Sequence, residues 1–82
     1  MRMSKQKQFF TTSDLNLSAV LVANGFPLES LEKDDLGKST FYFSKSKQLD
    51  QPIEKYWRLE LSIEPHELFN SLKALKNRMY SK

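Results

Sequence analysis

Apolar positions follow two different periods along this chain. Leu15, Leu17, Ala19, Val20, Leu21 and Val22 crowd most sides of a 3.6-residue spiral. A helix that is apolar on nearly every side is buried on nearly every side, so this stretch predicts the central core helix. Thr12 or Ser13 supplies a side-chain oxygen for the orphan amides of its first turn, and Asp14 puts a negative charge at the positive end of its dipole. Gly25 takes the left-handed conformation that ends a helix, Phe26 makes the apolar contact beyond it, and Pro27 forbids continuation. The apolar run is far short of the ~20 residues that a membrane span needs.

The second period is two. Thr40-Phe41-Tyr42-Phe43 puts both phenylalanines on one face and the tyrosine on the other, so Ser39 to Ser44 predicts a half-buried strand. Lys7 to Thr11, with Phe9 and Phe10, predicts a first strand, and Leu28 to Lys33 a further one. Asp34-Asp35-Leu36-Gly37 makes the turn that joins it to Ser39–Ser44 as a hairpin, with aspartate oxygens for backbone amides and glycine for a positive φ.

Lys45 to Leu49 reads as a polar loop. Asp50-Gln51-Pro52 then opens a short helix, with Asp50 as cap, proline in the first turn, and Ile53, Tyr56, Trp57 and Leu59 as apolar anchors. Leu61-Ser62-Ile63 alternates like a brief edge strand. Pro65 and Glu67 open a last helix, in which Leu68, Leu72, Leu75 and Met79 recur at helical spacing as far as Tyr80. The expected fold is α+β: a small antiparallel sheet packed against the first and last helices, in the order β-α-β-β-α-(β)-α. We find no repeat, low-complexity tract or linker, so the 82 residues are expected to form a single domain with residues 1–6 frayed.

Composition narrows the function. There is no cysteine, which excludes disulfides, thiol catalysis and cysteine-based zinc sites and fits a reducing, cytoplasmic setting. The basic start, Met1-Arg2-Met3-Ser4-Lys5-Gln6-Lys7, has no apolar stretch behind it, so no secretory signal is expected. Charge is unevenly spread. Arg2, Lys5 and Lys7 at one end and Lys73, Lys76, Arg78 and Lys82 at the other carry +7 with no acid among them, whereas residues 8–72 carry −4. Basic tips on a mildly acidic body are either solvated ends or a handle for an anionic partner.

Phe69, Lys73, Lys76 and Tyr80 share one stripe of the last helix, and aromatics between lysines can stack bases while the cations hold phosphates. The plainer and preferred reading puts Phe69 in the core, with the lysine stems lying over apolar surface. Tyr56 and Trp57 are a second candidate surface, since both residue types anchor interfaces, although a small domain often needs its tryptophan inside. Chemistry is poorly represented. His66 is the only histidine, and Glu64 and Glu67 beside it are expected at a helix start, so neither a metal nor an acid–base role is assigned. With glycine only at 25 and 37 there is no phosphate loop, and no serine sits in a nucleophile elbow. No enzyme, cofactor, metal or small-molecule substrate is expected.

Taken together, Thr12-Ser13-Asp14-Leu15, the helix stop at Gly25, Phe41-Tyr42-Phe43, Tyr56-Trp57, Ile63-Glu64-Pro65 and Leu72-Lys73-Ala74-Leu75-Lys76 resemble a family of small bacterial and phage proteins of unknown function, over roughly residues 8–81. The resemblance implies a prokaryotic or mobile-element source and carries over no functional residue. The leading expectation is a non-catalytic regulatory or accessory protein that contacts nucleic acid through its basic ends, with Arg2, Lys5, Lys7, Lys73, Lys76, Arg78 and Tyr80 as contact residues. The alternative is a protein-interaction module or homodimer that uses Tyr56, Trp57 and the last helix.

Overall fold

In a computed structural model the chain is described over residues 8–60 and 62–80. It runs β1 (Phe9–Thr12), α1 (Leu15–Ala23), β2 (Ser30–Lys33), β3 (Ser39–Ser44), α2 (Lys47–Trp57) and α3 (Pro65–Tyr80). The three strands form one antiparallel sheet in the order β1-β3-β2. β3 is central, pairing Phe10 with Phe43 on one side and Leu31 with Phe41 on the other. β1 and β2 therefore run in the same direction, with β3 between them and α1 connecting them.

Phe41 and Phe43 alternate inward from β3 as their period requires and are fully buried. They meet Leu17, Ala19 and Leu21 of α1, Leu49 of α2 and Leu75 of α3 in one core. Both α2 and α3 pack on α1. Leu17 through Leu21 are buried without interruption, Ser18 included, so the apolar all-round pattern of α1 corresponds to enclosure. Ser18 is satisfied locally, because its Oγ donates to the carbonyl of Asp14 at 2.9 Å.

Three sequence expectations are corrected in detail. The cap of α1 is Asp14 rather than Thr12 or Ser13: its Oδ1 accepts from the amides of Asn16 and Leu17 at 2.9 and 3.1 Å. Thr12 instead accepts from the Asp14 amide at 3.1 Å and sets the approach. The second correction concerns residues 45–49. α2 already begins at Lys47 and Pro52 lies inside it, so Asp50 is a first-turn acid and not the cap. Leu49 is the reason: it is buried in the core, and burying it takes one helical turn more than proline chemistry alone indicates. Third, Ser62 and Ile63 belong to no strand, and Leu61 lies outside the described residues. The chain here runs from the end of α2 to the start of α3, and both helices pack on α1.

The hairpin turn is as expected. Asp34 Oδ1 accepts from the amides of Leu36 and Lys38, both at 2.9 Å, and Gly37 has φ +85°. Among the described residues no helix is long and apolar enough to cross a membrane.

Candidate functional site

Two surfaces of the helical layer stand out. The first is the outer face of α3. Successive residues step about 100° round a helix, so Leu68, Leu72, Leu75 and Met79 face the core. His66, Phe69, Asn70, Lys73, Lys76, Asn77 and Tyr80 face away, and all are exposed. No carboxylate falls in this set. Phe69 is 66% exposed, which overturns the expectation that it joins the core, and Tyr80 is 74% exposed. Lys73 and Lys76 flank a shallow depression with Phe69 and Leu72. The Lys33 ammonium sits 5.7 Å from the centre of the Tyr80 ring, bringing β2 to the face through a cation–π contact. No local signal in the sequence marks Lys33. It joins the site only because β2 ends where α3 ends.

Arg78 does not share this face. It follows Lys76 by two residues, which turns it about 200° to the opposite flank of the helix. Arg2, Lys5 and Lys7 lie outside the described residues. The strand they lead into begins where Phe9 pairs with Ser44, whereas Tyr80 meets Lys33 at the other end of β3, opposite Ser39. Five steps of β3 separate these ends by about 17 Å.

The second surface is a groove of about 490 Å³ between the helices. Asn16 and Val20 of α1 form its floor, Tyr56, Trp57 and Leu59 one wall, and Leu68 of α3 the other. Tyr56 is fixed. Its hydroxyl donates to Asp14 Oδ2 at 2.9 Å, so one carboxylate both caps α1 and ties down α2. Burial, with this bond and the Asp14 charge behind it, raises the Tyr56 pKa above its ordinary value. Trp57 packs edge-on against Tyr56, with ring centres 5.1 Å apart, yet remains 65% exposed.

Leu59 is not the apolar helix anchor that its spacing predicts. It is 92% exposed with φ +59°. Its amide donates to Tyr56 O and that of Glu60 to Lys55 O, at 3.1 and 2.9 Å, the paired bonds of a Schellman stop. α1 ends the same way, with Gly25 in the left-handed position and Phe26 bonding back to Leu21. Glycine is the usual occupant of that position, so a leucine there escapes sequence reading.

His66 is exposed, and Glu64 is engaged as the cap of α3, accepting from the Glu67 amide at 2.9 Å. Among the described residues no group of three or more histidines, cysteines or carboxylates is placed to share a metal.

The fold and its two surfaces define a small α+β domain that presents helix faces. The chain belongs to the family described as Domain of unknown function (DUF5659), whose pattern matches residues 7–81. Comparison with curated proteins and with solved structures finds no match to this chain.

Proposed function

We propose that this is a non-catalytic accessory or regulatory protein that contacts nucleic acid through the outer face of α3. The observation behind this reading is the juxtaposition of exposed Phe69 and Tyr80 with Lys73 and Lys76 on a face of α3 without a carboxylate, joined at Tyr80 by Lys33 of β2. Rings of this kind take bases by stacking, and the lysines take phosphates as point charges. Base-edge readers are few, so binding is largely indifferent to sequence. Arg2, Lys5 and Lys7 extend the phosphate contacts, and Arg78 adds long-range attraction from the far flank. The same reading includes a prokaryotic or phage source, a cytoplasmic location and no cofactor or small-molecule substrate.

The test is a titration of single- and double-stranded oligonucleotides at about 50 and about 200 mM salt, where counterion release makes affinity fall steeply. Replacing Lys73 and Lys76 with glutamine weakens binding and lowers the salt slope by roughly one for each phosphate no longer neutralised, whereas Arg78→Gln has a smaller effect. Tyr80→Ala costs about 1–3 kcal/mol with single strands, the range of one base–ring stack. Absence of binding at the lower salt, or a lysine double variant indistinguishable from wild type, overturns the reading. A protein-interaction role for Tyr56 and Trp57 then takes its place, favoured by the exposed indole beside the groove.

A further inference from the structure

The groove between α1, α2 and α3 is edged by Leu59, which closes the stop of α2 in a position that glycine ordinarily fills. Leu59 holds a left-handed backbone, which costs a side-chain-bearing residue roughly 1–2 kcal/mol. It gains no compensating burial within the chain, because almost all of it faces solvent. The bonds of the helix stop hold this strain in place, and outliers of this kind cluster at binding surfaces. Together with Trp57 and Leu68 it forms an apolar lip over the floor made by Val20.

Carboxylates cluster along the chain next to the residues of that lip: Glu60 follows Leu59, Glu64 caps α3 one turn before Leu68, and Glu67 adjoins Leu68; all are exposed. Of the nearby cations, Arg58 is engaged with Glu54 at 3.2 Å and Lys55 stands one turn before Leu59, so the three carboxylates remain in excess. An occupant of this groove therefore needs an apolar side chain with positive charge close on either side. The chain itself displays that combination. Phe69 projects from α3 as an exposed ring, with Lys73 and Lys76 one and two turns further on. A phenylalanine side chain fits readily in a space of about 490 Å³.

We propose that the groove receives Phe69 of a second copy of this chain, with Lys73 and Lys76 of that copy set against Glu60, Glu64 and Glu67. Groove and ring lie on different flanks of α3, because Leu68 and Phe69 are about 100° apart round the helix. As proposed the contact is head-to-tail, each copy lending its ring to one neighbour and receiving a ring from another; a wild-type assembly that stops at a Phe69-dependent dimer would mean a reciprocal twofold exchange and overturns that arrangement. The inference does not depend on nucleic-acid binding, but it uses the same lysines. A neighbour and a nucleic acid consequently compete for them.

The experiment is sedimentation of the full chain without nucleic acid, between about 1 and about 100 μM, the range in which weak specific contacts are read. Wild-type mass rises with concentration beyond that of a dimer, the Trp57 emission shifts to the blue in parallel, and added salt reverses both. One variant, Leu59→Gly with Glu60→Lys, loses the groove; another, Phe69→Ala with Lys73→Glu, loses the ring. Each alone stays monomeric with a cooperative melt. An equal mixture gives a 1:1 pair and nothing larger, because one intact groove and one intact ring remain. Wild type that is monomeric at the highest concentration overturns the proposal, as does a mixture that fails to pair. A dimer unaffected by loss of Phe69 also overturns it, by pointing to a twofold contact through Trp57.

Discussion

Gly25 and Leu59 occupy the same position in two equivalent helix stops, and their difference is measurable. An added Cβ at Gly25 would meet no neighbour, since nothing lies within 4 Å. Gly25→Ala therefore isolates the conformational cost and should lower stability by about 1 kcal/mol in a denaturant titration. Leu59→Gly should raise it by a similar amount, because the strained leucine has no buried packing to forfeit. A decrease on Leu59→Gly would mean that the leucine packs within its own chain. Ser39 is a second residue-scale case. It is buried, and its hydroxyl has no hydrogen-bond partner among the described residues. Ser39→Ala should be neutral or stabilising by up to about 1 kcal/mol, since it removes an unsatisfied group and little volume.

At the scale of elements, α1 is the piece on which the others rest, and Asp14 is its anchor. Tyr56→Phe leaves the ring in place but removes the bond to Asp14, and should cost about 1–2 kcal/mol. The pH dependence has a definite sign. The folded state raises the Tyr56 pKa above the ordinary value of 10.0, so it holds the phenolic proton more tightly than the unfolded chain does. This contribution is complete below about pH 10 and is lost as pH rises through the folded pKa. Stability measured from pH 8 to 11 should thus decline more steeply for wild type than for Tyr56→Phe. Leu21→Asp puts an unpaired charge into the closed centre of α1 and should abolish cooperative unfolding by calorimetry.

The elements are unevenly legible in the sequence. α1, β3 and α3 repeat an apolar period over enough residues to declare themselves, and Asp34 to Gly37 carries its turn chemistry locally. The start of α2 is misplaced because proline and aspartate are strong start signals, whereas the demand to bury Leu49 comes from the tertiary core. The alternation of Leu61-Ser62-Ile63 is too short to outweigh where the chain has to go. Within the candidate site, spacing alone places Lys73, Lys76 and Tyr80 together. It does not show that Phe69 stays uncovered, since that depends on which neighbours reach it. The contribution of Lys33 and the left-handed Leu59 arise from contacts and backbone geometry that no single-chain pattern encodes.

Across the helical layer, charges of opposite sign fall on different stretches. Lys73 and Lys76 lie on the outer side of α3, while Glu60, Glu64 and Glu67 adjoin in sequence the groove residues Leu59 and Leu68. Neutralising the three glutamates as glutamine should leave any nucleic-acid affinity intact or raise it, since they repel phosphate, while weakening contact between copies. Filter binding and sedimentation on the same variant separate the two effects. The position of β3 bears on how the chain is made. Both ladders of the sheet run through β3, and among the described residues it is the last strand to be synthesised. β1 and β2 have no mutual pairing, so a nascent chain leaving the ribosome holds two orphan strands until Ser44 has emerged. Leu75, which completes the core, follows some thirty residues later. The sheet can therefore pair before its helical cover is complete, and a pause in translation ahead of α3 is expected to leave Phe41 and Phe43 without the part of the core that Leu75 supplies.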